Sequence, residues 1–265
     1  MKKISLALLG IILIFSACKK KDNSEIADSN TDNEPVIANV EPEQKQYALV
    51  LEYTATWCSA CGSWGHETIG EIINYNLKKV VPVLCHVSDG ISPDPNLFNG
   101  VMAIYPNDGG VPDFVINDVH SNSVSDVAAV LAREPVAQTN FTMARNGRSI
   151  SVHTKTKFFK AVSGADYYLA VYALEDGIDG LAGSNQQTGA TDPAYKHNHT
   201  LRASSCSNSA LGEKIVSGSA DEGAFISGDY SITCPANCNM SNVTVAAIIW
   251  KIAGDTTFVN AYEKK

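Results

Sequence analysis

Hydrophobic and polar positions divide the chain into stretches of different period. Residues 4–15 are apolar behind Lys2 and Lys3, whereas residues 19–46 are polar, with few large apolar side chains. Residues 47–56 form a nearly continuous apolar and β-branched run, the pattern of a central strand buried on both faces. Trp64, Ile69, Ile72, Ile73 and Leu77 then approximate helical spacing over residues 62–77, although Gly65 and Gly70 weaken that helix. Residues 79–87 read as a second buried strand. Residues 88–110 carry three prolines among glycines and asparagines, and read as a loop with a short helix at 97–104. A third strand is expected over 112–119 and a further helix over 124–133.

The period changes after Pro135. Ile150, Val152, Thr154, Thr156 and Phe158 alternate with Ser151, His153, Lys155 and Lys157, and Asn146-Gly147 ahead of them is a type I′ hairpin signal. Residues 166–174, 243–252 and 256–262 are further strands, the last two joined by Ala253-Gly254-Asp255. Residues 181–199 form a long loop rich in Gly, Ser, Asn and Gln. Strands with turns between them and no helices predict a β-sandwich. The expected organisation is an α/β unit over 47–135 followed by an all-β, sandwich-like unit over 136–265. The chain shows no internal repeat.

The first residues change how the rest is read. Phe15-Ser16-Ala17-Cys18 reads as a lipoprotein signal-peptidase site behind a basic n-region and an apolar h-region. The apolar run is shorter than the roughly 20 residues a spanning helix needs, so cleavage is expected over anchoring. Residues 1–17 are then a signal peptide, and Cys18 is the lipidated N-terminus that holds the protein to a membrane. Residues 18–46 are a flexible tether with a coil span of roughly 30 Å. Losing Lys2 and Lys3 moves the formal charge from -8 to -10. An acidic chain without a basic cluster gives no support for nucleic-acid binding. In an exported protein the six remaining cysteines can hold disulfides.

Cys58-Ser59-Ala60-Cys61 carries the strongest chemistry. A short β-forming run delivers two cysteines to the start of a helix, whose unpaired amides and dipole favour a thiolate on the first. Cys58 is the expected nucleophile toward a partner disulfide and Cys61 the resolving thiol. Glu52, six residues earlier, is placed to accept the Cys61 proton through water if burial raises its pKa. The competing reading is a permanent structural disulfide. Zinc at this pair would need a second Cys-x-x-Cys at suitable spacing, and none is present.

The other candidates have plainer readings. Cys85 sits in a buried strand and is expected to act as a small hydrophobe. Cys206, Cys234 and Cys238 are candidates for a structural disulfide: residues 234–238 form a tight loop that could close locally, or either cysteine could reach Cys206. His197 and His199 at i and i+2, with Tyr195 nearby, could reach one ion, but packing and loop hydrogen bonds account for them better without an acidic or thiol partner. His66 is either a rim contact for the cysteine pair or a solvated helix-face residue. No metal or cofactor is expected.

The order of strands and helices over 47–133 resembles the thioredoxin superfamily. Trp57 before the first cysteine, Glu52 beneath the pair and Gly110-Val111-Pro112 opening the third strand all match it. The resemblance implies a cis-proline at Pro112 facing the cysteines. Ser59-Ala60 replaces the family's Gly-Pro, so no redox potential carries over. The segment after Pro112 is short of the usual final hairpin, leaving the sheet truncated or completed by later strands. A second resemblance spans nearly the whole mature chain. Residues 54–58, 173–178 and 197–202 look like the Omp-twenty-eight-related outer-membrane lipoproteins of Bacteroides-type Gram-negative bacteria. It implies a thioredoxin-like N-terminal domain, a β-rich C-terminal domain and residence in the outer membrane. Two functions follow as expectations: thiol-disulfide exchange on envelope proteins or small thiols, or a binding or adhesion lipoprotein in which the bridge is inert.

Overall fold

The computed structural model describes residues 40–265 apart from 108 and 207. The expected signal peptide, the expected lipidation site Cys18 and most of the expected tether lie outside the described residues. β1 (Ala48–Thr54) is buried at all seven positions, as an unbroken apolar run requires. A π-helical turn at Cys61–Gly65 leads into α1 (His66–Tyr75), whose Ile69 and Ile72 face the core. β2 (Val80–His86) is buried throughout and runs parallel to β1. α2 (Pro95–Ile104) starts earlier than its apolar spacing predicts, because Asp94 accepts from the Asn96 amide and Pro95 suits the first turn. β3 (Asp113–Ile116) runs antiparallel to β1, and β4 (Val119–His120) folds back onto it. One strand is expected over 112–119; Asn117, at φ 61°, turns the chain instead. α3 (Val124–Leu131) is capped by Ser123.

The second half is all-β apart from short turns. β5 (Ala137–Asn146) and β6 (Ser149–Phe158) form a hairpin whose two loop residues are Gly147 and Arg148. That is one residue beyond the expected Asn146-Gly147. Only Gly147 has positive φ, the pattern of a type II′ rather than a type I′ turn. β7 (Val162–Ser163), β8 (Asp166–Glu175), β9 (Ile178–Asp179), β10 (Lys196–His197) and β11 (Thr200–Ser204) follow. The expected loop over 181–199 therefore starts and ends close to a short β9–β10 ladder. β12 (Glu213–Val216), β13 (Ser219–Ala220), β14 (Phe225–Thr233), β15 (Val243–Ala253) and β16 (Asp255–Lys264) complete the chain.

Strands from both sides of Pro135 share one mixed sheet, in the order β16-β15-β8-β11-β2-β1-β3-β4, with β12 also paired to β8. The join is narrow. β11 lies beside β2 with Thr200 opposite Leu84, and the Leu84 amide donates to the His199 carbonyl at 2.9 Å. Later strands thus extend the first-half sheet beyond β2, while the short β3–β4 hairpin closes its other edge. A separate three-stranded sheet, β14-β6-β5, covers one face.

β8 and β15 are buried on both faces, and their alternation feeds two cores. Ala170, Tyr172, Leu174, Ala246, Ile248 and Trp250 join the core beneath the helices. Leu169, Val171, Ala173, Val245, Ala247 and Ile249 pack against the β14-β6-β5 sheet. Each Leu, Ile and Val among them contributes roughly 1.5–3 kcal/mol by leaving water. Residues 41–46, expected at the end of a flexible tether, are held against β5 and β16. Gln46 is buried, the Tyr47 amide donates to Asn260 Oδ1 at 2.9 Å, and Asn140 donates to the Glu41 carbonyl at 3.1 Å. Among the described residues no helix is long and apolar enough to cross a membrane.

Candidate functional site

β1 ends at Thr54 and hands the chain to a tight turn, closed by the Cys58 amide donating to the Ala55 carbonyl at 3.1 Å. Cys58 and Cys61 are disulfide-bonded, with Cα atoms 5.3 Å apart. The Cys61 amide points at Cys58 Sγ from 3.0 Å, and the Val111 carbonyl lies 3.3 Å from the same sulfur. On reduction that amide and the helix start would favour a Cys58 thiolate. The Val111-Pro112 peptide bond is cis. Gly65 is explained by the proline: a Cβ there would sit 3.0 Å from Pro112 Cγ, so the residue that weakens the helix lets the two segments meet.

Glu52 lies in the middle of β1, paired with Leu84 and Phe114 on its neighbours. It is buried, Oε2 has no hydrogen-bond partner, and burial pushes the carboxyl up to about 8. It lines a cavity of about 240 Å³ together with His66, His86, Tyr195, His197 and His199. The His66 ring packs on Tyr195 at 4.4 Å, with Asp192 3.8 Å away, so it lines this cavity rather than contacting the cysteine pair. His197 packs edge-on against His86 and Tyr195, and its Nε2 lies 2.9 Å from the Asn185 carbonyl. Burial, then the neighbouring His86, holds His197 down at about 4. His199 is tied through its amide to Asp176 at 2.8 Å. Among the described residues no cluster of three or more metal-ligating groups occurs.

Two features of the site carry no signal in the sequence pattern. The first is His86 with Asp89, 2.7 Å apart between Nδ1 and Oδ2. Asp89 also accepts from the Thr56 amide at 2.9 Å and so fixes the backbone just before Trp57 and Cys58. Burial opposes its ionisation, but His86 and the Thr56 and Ile91 amides outweigh it and bring the carboxyl to about 2. The second is a strap from the other half of the chain, residues 180–190. Gln187 Nε2 donates to the carbonyls of Ala55 at 3.0 Å and Cys58 at 2.8 Å, and the Thr188 amide donates to the Thr56 carbonyl at 2.7 Å. A Cβ on Gly62 would meet Thr188 O at 2.3 Å, so only glycine admits this approach. Cys58 is 7% exposed beneath the strap, while Trp57 is 55% exposed and donates to the Val87 carbonyl at 3.2 Å.

The remaining cysteines are placed as follows. Cys85 is a buried free thiol, and burial pushes it up to about 12, which leaves it inert. Of the three candidates for a structural disulfide, Cys206 is disulfide-bonded, whereas Cys234 and Cys238 are free thiols. The Cys238 thiol instead meets Glu175, with Sγ 3.1 Å from Oε2.

Against this geometry, the family model described as outer membrane protein Omp28 matches residues 114–261, more than half of the chain. The chain belongs to the Omp28 outer membrane protein family. The match runs from β3 through β16, so it includes the strap and stops short of the cysteine pair. The solved structure of HBP35 of Porphyromonas gingivalis shares the fold of this Omp28-family chain, with a TM-score of 0.66 over 84% of this chain and 76% of that one at 16% identity. Spo0M, a sporulation control protein of Bacillus subtilis, matches 49% of this chain and 47% of its own at 11% identity and a TM-score of 0.30, too low to bear on the fold. A search of curated proteins gives no match.

Proposed function

We propose that this Omp28-family chain is a lipid-anchored envelope protein whose residues 47–135 form a thioredoxin-like unit that exchanges disulfides with envelope proteins or small thiols. The supporting observation is the Cys58–Cys61 bridge at the head of a helix, with the Val111 carbonyl 3.3 Å from Cys58 Sγ and the Val111-Pro112 bond cis. The sheet order β2-β1-β3-β4, with β1 and β2 parallel and β3 antiparallel, favours the same reading.

In the reduced protein the Cys58 thiolate attacks one sulfur of a partner disulfide and the other leaves as a thiolate. Glu52, through water, takes the proton of Cys61. The Cys61 thiolate then attacks Cys58 Sγ, expels the second partner sulfur and regenerates the Cys58–Cys61 bridge. The partner leaves as a dithiol. Pro112 and the Val111 carbonyl would border the partner backbone, and Trp57 would offer it an exposed apolar face.

The strap favours a second reading, a binding lipoprotein with an inert bridge, because Gln187 and Thr188 hold the backbone on both sides of Trp57. Thiol trapping separates the two. Cys61→Ser in the lipidated full chain should accumulate mixed disulfides through Cys58 with envelope proteins. No adduct, together with no turnover of a model disulfide by the purified protein, would leave the binding reading. Anchoring has its own test: Cys18→Ala should release the protein from membranes, and retention would refute the lipid.

A further inference from the structure

Away from the Cys58–Cys61 site, residues 234–238 bridge β14 and the turn before β15 as Cys-Pro-Ala-Asn-Cys. The Cys238 amide donates to the Pro235 carbonyl at 3.1 Å, and the Cys234 amide donates to the Arg148 carbonyl at 2.9 Å. This tight turn sets the two free thiols at its two ends, four residues apart in the chain. Cys234 is buried, whereas Cys238 is half-buried and open to solvent.

The turn sits on a buried salt bridge. Glu175, at the end of β8, is buried with Arg202 of β11, whose Nε lies 3.3 Å from Glu175 Oε2. The same Oε2 meets Cys238 Sγ at 3.1 Å, and Oε1 accepts from the Asn239 amide at 2.7 Å. Arg202 Nη2 also donates to Asn237 Oδ1 at 2.7 Å, and Arg148 Nη1 donates to the Cys234 carbonyl at 3.1 Å. A thiol is a weak hydrogen-bond donor, so it adds little to a carboxylate already served by arginine and an amide. What the contact supplies is a proton acceptor beside the accessible sulfur. Cys234, burial and Glu175 raise the Cys238 thiol, so its attack needs Glu175 to take the proton as the new bond forms. The exposed Arg148 guanidinium at the Cys234 carbonyl attracts an anionic partner.

We propose that Cys234 and Cys238 are a second reactive thiol pair, closing to an intramolecular disulfide by exchange with an anionic low-molecular-weight disulfide. Cys238, the accessible sulfur, gives its proton to Glu175 and attacks one sulfur of the small disulfide. The S–S bond of the reagent breaks, its first half leaves as a thiolate, and Glu175 passes the proton to it. Cys234 then attacks Cys238 Sγ, the mixed disulfide breaks, and the second half leaves with the Cys234 proton. One small disulfide is reduced to two thiols while the protein dithiol is oxidised to a disulfide. Excess small thiol reverses each step.

The test uses the wild-type full chain, equilibrated with oxidised and reduced glutathione in varied ratio, then acid-quenched and alkylated. Peptide-resolved mass spectrometry reads this pair apart from Cys58 and Cys61, so no cysteine has to be removed. The expected result is one peptide passing from doubly alkylated to internally bridged as the ratio rises. Cys234→Ser should stop at a single glutathione on Cys238. Glu175→Gln, shown to be folded by circular dichroism, should close about tenfold more slowly or worse. The proposal is overturned if both thiols stay alkylated across the series, if the bridge resists the most reducing mixture, or if glutathione rests on wild-type Cys238 without closure. It is also overturned if Cys234→Ser takes up no glutathione, and the role of Glu175 falls if its folded variant closes at the wild-type rate.

Discussion

Gln187 reaches across from the second half of the chain and donates from one side-chain nitrogen to the carbonyls of Cys58, at 2.8 Å, and Ala55, at 3.0 Å. The bonds close over a sequence separation of 129 residues to Cys58, so the loop that carries them is a cover for the cysteine pair. Gln187→Ala leaves two buried carbonyls without this donor, at a cost of about 1–3 kcal/mol. For a chain of this size that lowers Tm by a few °C, roughly 2–4 °C per kcal/mol. Reduction of the Cys58–Cys61 bridge by dithiothreitol should accelerate several-fold in the same variant. Unchanged reduction alongside a lowered Tm would mean that the strap does not control access.

Gly62→Ala tests the strap from the opposite side. The new Cβ would meet Thr188 O at 2.3 Å and Ala190 N at 2.8 Å, both backbone atoms that cannot swing aside. A cost of about 1–3 kcal/mol is expected from overpacking. Limited proteolysis should show new cleavage within residues 180–190 while the strands stay protected.

Glu52 ties stability to pH. Its carboxyl is raised to about 8 in the folded chain against an ordinary value of 4.5, with burial as the cause. Between those values the folded state holds a proton that the unfolded state has released. Stability therefore falls as pH rises through that window, by an amount on the order of a few kcal/mol. Glu52→Gln removes this fall. Glu263, raised to about 7 by burial and Asp176, acts in the same direction, so the difference between wild type and variant isolates Glu52. Denaturant midpoints measured from pH 5 to pH 9 should converge at the acid end, with the variant the more stable at the basic end. Parallel curves would refute the assignment.

Arg202 and Glu175 form a buried ion pair, so removing one partner is worse than removing both. Arg202→Met strands the Glu175 carboxylate and should cost about 3–5 kcal/mol. Adding Glu175→Leu should recover much of that loss, read as urea midpoints at constant m-value.

β8 and β15 make a single unfolding transition the expectation for the whole chain. Leu169 and Leu174 lie on one strand but face different cores. Leu169→Ala and Leu174→Ala should each cost about 2–5 kcal/mol. Each should also shift fluorescence from Trp250 and far-ultraviolet circular dichroism together. Separate transitions would mean that the two halves unfold as independent units.

What the sequence made legible follows from how local each signal is. Apolar runs revealed β1, β2, β8 and β15, and the cysteine spacing marked Cys58 and Cys61, because neighbours along the chain set those patterns. His86 was hidden inside an apolar run, and Asp89 beyond it looks like any loop aspartate. Gln187 lies in a polar loop without period, and its role exists only after folding brings it to Cys58. The hairpin at Gly147 was recognised but displaced by one residue, since Gly147-Arg148 satisfies type II′ geometry as readily as Asn146-Gly147 suggests type I′. Completion of the sheet by later strands was one of two expectations, but where they join was invisible for a similar reason. The join rests on Thr200 meeting Leu84, and no composition records a single pairing.

That pairing makes the cysteine-bearing half a poor cassette. A fragment ending at Pro135 would leave the outer edge of β2 bare along a strand whose seven residues are all buried in the full chain. Such an edge is a template for intermolecular strand addition, so the excised fragment should self-associate. Any lineage that exchanged this half for another would have to supply a strand for β2 as well, which binds the inheritance of the cysteine pair to that of the β-rich half.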